Sequence, residues 1–255
     1  MCRFFAYQGS PAPLSRWVLE SSHSLERQAY RPKDMVRGHV NVDGTGLAWW
    51  PAAEAVPLRY VTGGPPWSDP NLRTLLPRLS APSQLAAVRS ASPGMGYGIE
   101  HVQPFVHGEI ALVHNGWIGG FRGALGHEML SGLDPAHFAD LPAFNDSAAL
   151  FAAFLGALET ARGSLEDALT ATVTSIVTAC ERHREPCSLN LAVTSGRRSV
   201  AVRIARGVDA NTLYTSERPE GRLLASEPLD EGTWSAVPEN QISSMTASTI
   251  DSRDL

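Results

Sequence analysis

Three cysteines in 255 residues is a small, odd number. Cys2, Cys180 and Cys187 show neither zinc-ligand spacing nor the even count of a disulfide framework. Each is therefore read singly. Cys180 falls on the apolar face of a predicted helix and Cys187 opens a predicted strand, positions where a thiol acts as a small buried hydrophobe. Long hydrophobic runs are missing as well. The longest, residues 148–158, is well short of the roughly 20 residues that cross a bilayer. The first residues lack the apolar segment of a signal peptide, so a cytoplasmic protein without membrane contact is expected. Arginines are scattered and the formal net charge is -5, which leaves no basic stripe for nucleic-acid phosphates. The eight histidines include no His-Glu-x-x-His or comparable spacing, so no metal is expected. Asp43-Gly44-Thr45-Gly46 lacks the Lys-Ser/Thr and the following helix of a phosphate loop, and reads instead as a hairpin turn. No cofactor is expected.

What is present is a hydrophobic fraction of 43% against 18% charged residues, enough to bury a large core. No linker divides the chain, so one domain over residues 2–245 is expected. Residues 246–255 read as a flexible tail because 243–249 are small and polar. Strands are predicted at 3–8, 39–50 (interrupted at Asp43-Gly44), 58–62, 84–89 and 109–114, with short helices at 14–19 and 71–79. Two longer helices follow. Leu150, Phe151, Phe154, Leu155 and Leu158 make one apolar stripe, and Leu165, Leu169, Val173, Ile176, Val177 and Cys180 make another behind the capping-box-like Ser164-x-x-Asp167. Strands return at 188–194, 200–205, 212–215, 222–225 and 241–244. Strands, two helices, then strands is an α+β order without βαβ alternation.

Cys2 is the first candidate for chemistry. Initiator methionine is removed ahead of a small residue, and cysteine is small enough. A terminal amine titrates at about 7.7 to 8.0, so near neutrality part of it is unprotonated and can accept a thiol proton, directly or through water. One residue then supplies nucleophile and base; one cysteine at one position is also readily a coincidence. A nucleophile attacking a carbonyl needs donors for the oxyanion, and His114-Asn115-Gly116 after the apolar 110–113 offers an amide and a glycine N–H. The competing reading is an Asn-Gly hairpin turn, and His114 reads as a satisfied core histidine. An amino-acid carboxylate calls for a bidentate arginine and an ammonium for a carboxylate. Arg89, followed by Ser90-Ala91-Ser92, and Asp146 in Asn145-Asp146-Ser147 are the candidates; a strand-end surface arginine and a helix N-cap are the plainer readings. Residues 93–98, Pro-Gly-Met-Gly-Tyr-Gly, read as a mobile loop beside a site.

Taken in order, Met1-Cys2-Arg3, Ala87-Val88-Arg89-Ser90-Ala91-Ser92, Gln103-Pro104-Phe105, His114-Asn115-Gly116 and Asn145-Asp146-Ser147 resemble the class II, N-terminal-nucleophile glutamine amidotransferases. The resemblance implies a four-layer αββα sandwich of the N-terminal-nucleophile hydrolase type. It further implies Cys2 as nucleophile with its α-amine as base, Asn115 and Gly116 as oxyanion donors, and Arg89, Ser90, Ser92 and Asp146 around a γ-glutamyl group. Within the family the chain is most similar to the stand-alone amidohydrolases of ergothioneine biosynthesis, which release glutamate from γ-glutamyl hercynylcysteine sulfoxide. The matching stretches there are Asn41-Val42-Asp43-Gly44-Thr45-Gly46, Leu189-Asn190-Leu191 and Leu224-Ala225-Ser226-Glu227-Pro228, with Trp234 and Pro238. Phe4, Val42 and Thr45 depart from that pattern. The expected partner is a small-molecule γ-glutamyl substrate, and the sequence leaves a homo-oligomer open. Two other readings stay open: a glutaminase subunit feeding ammonia to a separate synthetase, and a silent binding module that keeps the fold.

Overall fold

The computed structural model describes residues 2–92, 94 and 96–255. Its first strand, β1 (Arg3–Pro13), is buried on both faces along residues 3–8, with Phe4 and Ala6 in one apolar cluster and Phe5 and Tyr7 in another. A strand that is apolar on both sides must lie inside a sandwich. It does so as an inner strand of a seven-stranded antiparallel sheet, between β4 (Ser80–Val88) and β10 (Gly221–Ala225), where Phe5 faces Ala86 and Ala225. On the β4 side follow β2 (Thr45–Trp50) and β3 (Leu58–Thr62); on the β10 side follow β9 (Tyr214–Arg218) and the short β11 (Ser235–Ala236).

A second, six-stranded sheet runs in the order β13 (Ile250–Asp254), β12 (Gln241–Met245), β8 (Ser199–Arg206), β7 (Cys187–Thr194), β6 (Ile110–Ile118) and β5 (Phe105–His107). The faces that meet between the two sheets carry small side chains: Ala6, Ala48, Ala87, Ala111, Ala192 and Ala201 pack with Phe4, Trp50 and Leu85. Alternation sends the larger residues outward under the helices. Leu112, Leu189, Leu191, Val193, Val200 and Val202 lie beneath α5 (Asp146–Thr160) and α6 (Leu165–His183). On the opposite outer face α1 (Leu25–Tyr30), a helical turn over Arg16–Glu20 and α2 (Pro70–Leu75) cover Phe5, Tyr7, Leu47 and Ala86. The layers are helix, sheet, sheet, helix, the α+β sandwich expected.

Local chemistry explains the two long helices. The Asn145 side chain accepts the Ala148 N–H and the Ser164 hydroxyl accepts the Asp167 N–H, satisfying donors that a helix start leaves unpaired. The predicted apolar stripes bury against the second sheet, and α6 ends where Arg184 takes a left-handed conformation at φ 56°. Cys180 and Cys187 both sit in that core. Between α2 and α5 the chain adds α3 (Ala124–Ser131) and α4 (Pro135–Ala139), short elements that the sequence pattern does not reveal.

Two expectations need correction, and one competing reading falls. Residues 246–255 do not form a free tail, since β13 pairs along all of β12 from Gln241 opposite Asp254 to Met245 opposite Ile250. Backbone pairing is indifferent to the polar composition of the strand, and a turn held by the Thr246 hydroxyl, which accepts the Ser248 and Thr249 N–H groups, reverses the chain. Asp43-Gly44 closes no hairpin, for residues 39–44 are not strand. The Asp43 carboxylate instead accepts the Ala91 N–H at 2.8 Å, while Gly44 at φ 148° accepts from the Arg89 N–H. Finally, His114-Asn115-Gly116 is not a turn: β6 runs on to Ile118, with Asn115 opposite Asn190 and Gly116 opposite Leu189.

Phe154 is fully buried in the helix-on-sheet core. Its replacement by alanine should cost about 3–5 kcal/mol of stability, read as a lowered urea midpoint at unchanged m-value.

Candidate active site

Cys2 stands at the entry to β1, directly before Arg3, and is buried. A narrow cavity opens beside it, lined by Cys2, Arg89, Ser90, Ser92, Gly116 and Asp146, with His101, Gln103, His114, Asn145 and Ser147 completing the wall. Six of the seven residues singled out from sequence thus converge from the ends of four elements. Asn115 is the seventh and lies behind the wall. Larger grooves exist between α5 and α6 and beside Trp50, but no cysteine lines either of them.

Each wall residue is held by identifiable bonds. Arg89 follows β4 and is buried; its Nη2 donates to the Gly96 carbonyl at 2.8 Å and its Nη1 to the Asp43 carbonyl at 3.5 Å. Those bonds use two of the guanidinium's five N–H groups, and Asp43 fixes the same segment again through Ala91. The predicted loop at 93–98 is therefore in contact with Arg89 through Gly96, while Pro93 and Met95 lie outside the described residues. Asp146 is not the helix cap, a role taken by Asn145. It occupies the first turn of α5, where the helix dipole favours a negative charge. Its Oδ2 accepts the Ile118 N–H at 3.0 Å and its Oδ1 the Ser147 N–H at 2.8 Å.

The β6 wall is equally constrained. The His114 ring is buried between the Ser147 hydroxyl at 2.9 Å from Nδ1 and the Ser188 carbonyl at 3.3 Å from Nε2. A carbonyl only accepts, so Nε2 carries the proton and Nδ1 accepts from Ser147. Burial holds its pKa below the ordinary histidine value, against the pull of Asp146. With both nitrogens engaged, His114 is a structural histidine, as expected. Next to it, a Cβ on Gly116 would stand 1.9 Å from the Ser188 carbonyl oxygen and 2.4 Å from His114 Nε2, so only glycine fits. Asn115 is buried: Nδ2 donates to the Cys2 carbonyl at 2.5 Å, Oδ1 accepts from Arg3 Nη1 at 3.4 Å, and its own carbonyl accepts from Asn211 Nδ2 at 2.8 Å.

The sequence reading did not name His101, and it gave Gln103, Ser226 and Glu227 only as parts of matching stretches, without a task. Gln103 uses its side-chain amide like a strand backbone, with Nε2 donating to the His114 carbonyl and Oε1 accepting the His114 N–H. This extends the β5 pairing along β6 beyond Phe105. His101 Nδ1 accepts from Asn145 Nδ2, whose oxygen is committed to the helix cap, so the His101 proton lies on Nε2. Burial, and then the charge of Arg89, lower its pKa and keep the ring neutral near pH 7. Ser226 brackets Phe4, accepting from its N–H at 2.9 Å and donating to its carbonyl at 3.3 Å, and Glu227 meets Arg3. The Leu-Ala-Ser-Glu-Pro stretch was visible as a family match; its physical task was not. Among the described residues, no group of three or more His, Cys, Asp or Glu could hold a metal ion, and no helix is long and apolar enough to cross a membrane.

No family model matches the chain. Curated relatives do. A gamma-glutamyl-hercynylcysteine sulfoxide hydrolase of Mycobacterium tuberculosis is 30% identical over 247 residues, covering 96% of this chain and 93% of the relative. The protein of the same name in Mycolicibacterium smegmatis is 32% identical over 243 residues, covering 95% and 94%. The chain belongs to the gamma-glutamyl-hercynylcysteine sulfoxide hydrolase family. Solved structures agree on the fold. A glutamine aminotransferase class-II domain protein from Silicibacter pomeroyi aligns with a TM-score of 0.74 at 24% identity, covering 99% of both chains. The glutamine phosphoribosylpyrophosphate amidotransferase of B. subtilis aligns with a TM-score of 0.68 at 14% identity, covering all of this chain and 49% of that one. The family thus shares its architecture with the class II amidotransferases, in which the sheet-and-helix layers described above recur.

The steric limit at Gly116 is directly testable. Gly116→Ala must displace the Ser188 backbone and should cost about 1–3 kcal/mol of stability, seen as a lower Tm than wild type. An alanine variant that melts with wild type would show that this wall yields.

Proposed function

We propose that the chain hydrolyses the γ-glutamyl amide of γ-glutamyl hercynylcysteine sulfoxide, releasing glutamate, with Cys2 as an N-terminal nucleophile. The observation that carries this reading is the convergence on one cavity of Cys2, the Arg89 guanidinium, the Asp146 carboxylate and the Gly116 wall, the set that a γ-glutamyl group requires. The names of the mycobacterial relatives, similar over nearly the whole chain, supply the leaving group.

The chemistry follows from the parts. Removal of Met1, which lies outside the described residues, frees the Cys2 amine. The amine takes the thiol proton and the sulfur attacks the γ-carbonyl carbon. Negative charge gathers on the carbonyl oxygen, where the Asn115 amide and the Gly116 N–H donate to it. The C–N bond breaks, the amine proton passes to the departing nitrogen, and a γ-glutamyl thioester remains. Water, deprotonated by the same amine, then splits the thioester to glutamate and the free thiol. Throughout, Arg89 holds the α-carboxylate in its remaining N–H fork and Asp146 the α-ammonium, with Ser90 and Ser92 as hydroxyl contacts. His101, kept neutral, adds no charge beside the ammonium.

A second reading has its own observation. A Saccharomyces cerevisiae protein named "Probable glutamine amidotransferase" is 27% identical, covering 98% of this chain and 83% of its own length. On that reading the chain releases ammonia from glutamine for a partner enzyme.

Intact mass should show the chain without Met1, and a γ-glutamyl diazoketone should add covalently to Cys2. In a panel of γ-glutamyl amides, the sulfoxide substrate should far exceed glutamine in kcat/KM; the reverse order favours the ammonia-supplying reading. Cys2→Ala should abolish turnover while retaining the wild-type circular dichroism spectrum, and a turning-over Cys2→Ala protein removes the proposed nucleophile. Arg89→Ala should raise KM by about 10- to 100-fold with a smaller change in kcat, because carboxylate binding is common to ground and transition states.

A further inference from the structure

The Arg3 side chain is wholly buried immediately beyond the nucleophile, and its guanidinium lies between two partners. Nη1 donates to Asn115 Oδ1 at 3.4 Å, and Nε stands 3.3 Å from Glu227 Oε2. Glu227 is buried too. It accepts the Lys33 N–H and, at 2.9 Å, the Asp34 N–H, and its Oε1 lies 3.1 Å from His23 Nε2. Burial alone would raise the Glu227 pKa, but the His23 contact and the Arg3 charge hold it below the ordinary glutamate value. Burying such a pair stabilises a fold little compared with apolar residues of the same volume. Its location beside the reaction centre therefore calls for another account.

That account lies in the symmetry of an asparagine amide. Oxygen and nitrogen have nearly the same shape, and a half-turn about the last side-chain torsion exchanges donor for acceptor. A guanidinium can only donate, so the atom facing Arg3 must be oxygen, and Nδ2 is turned toward Cys2. Nδ2 has two hydrogens. One meets the Cys2 carbonyl; among the described residues the other has no partner, and on the reading of Asn115 as oxyanion donor it is the hydrogen that serves.

We propose that Arg3, held by Glu227, is the positioning residue that selects the donor orientation of the Asn115 amide at the reaction centre. The inference rests on the reading of Cys2 as nucleophile and Asn115 as oxyanion donor. Without Arg3 the sense of the amide rests on the Cys2 carbonyl alone, and the flipped form, which presents an acceptor to the forming negative charge, becomes more populated. The carbonyl of Asn115 is held independently by Asn211, so what is lost is the side-chain orientation rather than the strand.

The test is a kinetic cycle on γ-glutamyl p-nitroanilide, with Arg3→Met, Asn115→Ala, the double variant and Arg3→Lys compared with wild type, each checked by circular dichroism and thermal melting. Arg3→Met is expected to lower kcat about 10- to 100-fold with KM within about threefold, and Asn115→Ala to lower it about 10²- to 10³-fold. The double variant should be no slower than Asn115→Ala alone, because Arg3 acts only through that amide. Arg3→Lys, which keeps the charge for Glu227 but has one donor head where two partners must be reached, should fold and also lose kcat. It carries the test if Arg3→Met does not fold. Effects that multiply in the double variant, or an Arg3→Lys protein with wild-type kcat, overturn the assignment. Cys2→Ala, run alongside, separates the two levels: activity there defeats the nucleophile reading itself, whereas a dead Cys2→Ala with multiplying Arg3 and Asn115 effects defeats only the role of Arg3.

Discussion

A side chain at the mouth of a strand is only as fixed as the strand's pairing, and a strand end without partners frays. Everything at the candidate site depends on how β1 overcomes this. The strand is paired on both edges, with β4 and β10, and the pairing is reinforced at the first residues: Ser226 brackets the Phe4 backbone, Glu227 meets the Arg3 guanidinium, and Asn115 reaches the Cys2 carbonyl. These contacts come from strands far apart in sequence, so the position of Cys2 is set by tertiary structure alone. The cavity wall is then defined relative to it. Arg89 follows the neighbouring strand β4, whose last residue Val88 lies opposite Arg3, and Gly116 lies in the facing sheet. The inter-sheet layer of alanines lets the two sheets approach closely enough for both to line one narrow space.

Much of this was legible in the sequence because it rests on periodicity. Runs bounded by turn signals placed β1, β3 and β7, and the apolar stripes with their Asn145 and Ser164 caps placed α5 and α6 to within a few residues. The site residues were legible for a different reason. Cys2, Arg89, Asn115, Gly116 and Asp146 are each unremarkable alone, and only their order along the chain pointed to one centre. The structure brings four of them to one cavity and sets Asn115 behind its wall. It also excludes the plainer readings of four of them: Asp146 is not the helix cap, Asn115-Gly116 is not a turn, and Arg89 is not a surface residue.

What stayed hidden was held by side-chain-to-backbone bonds, which carry no period. Gln103 stands in for a length of strand opposite His114, and Asp43 latches the segment after Arg89 across 48 positions. Nothing local marks either residue for that task. The Asp43-Gly44 pair even imitates a hairpin signal, because the same left-handed tolerance that suits a turn also suits a tight approach to a neighbouring chain. The end of the chain misleads similarly: serine, threonine and aspartate suggest disorder, yet an edge strand needs no apolar face when it can pair with a buried neighbour, and its charges discourage pairing with other molecules.

The pairing of Phe5 with Ala225 has a consequence in time as well as in space. Chains are made from the amino terminus, and contacts between distant residues form late. On the ribosome the strand bearing Cys2 precedes its β10 partner, with Ser226 and Glu227 behind it, by some 220 residues. Throughout that interval β1 is without the neighbours that β10 supplies on one of its edges. The strand that carries Cys2 is completed only when a distant one arrives.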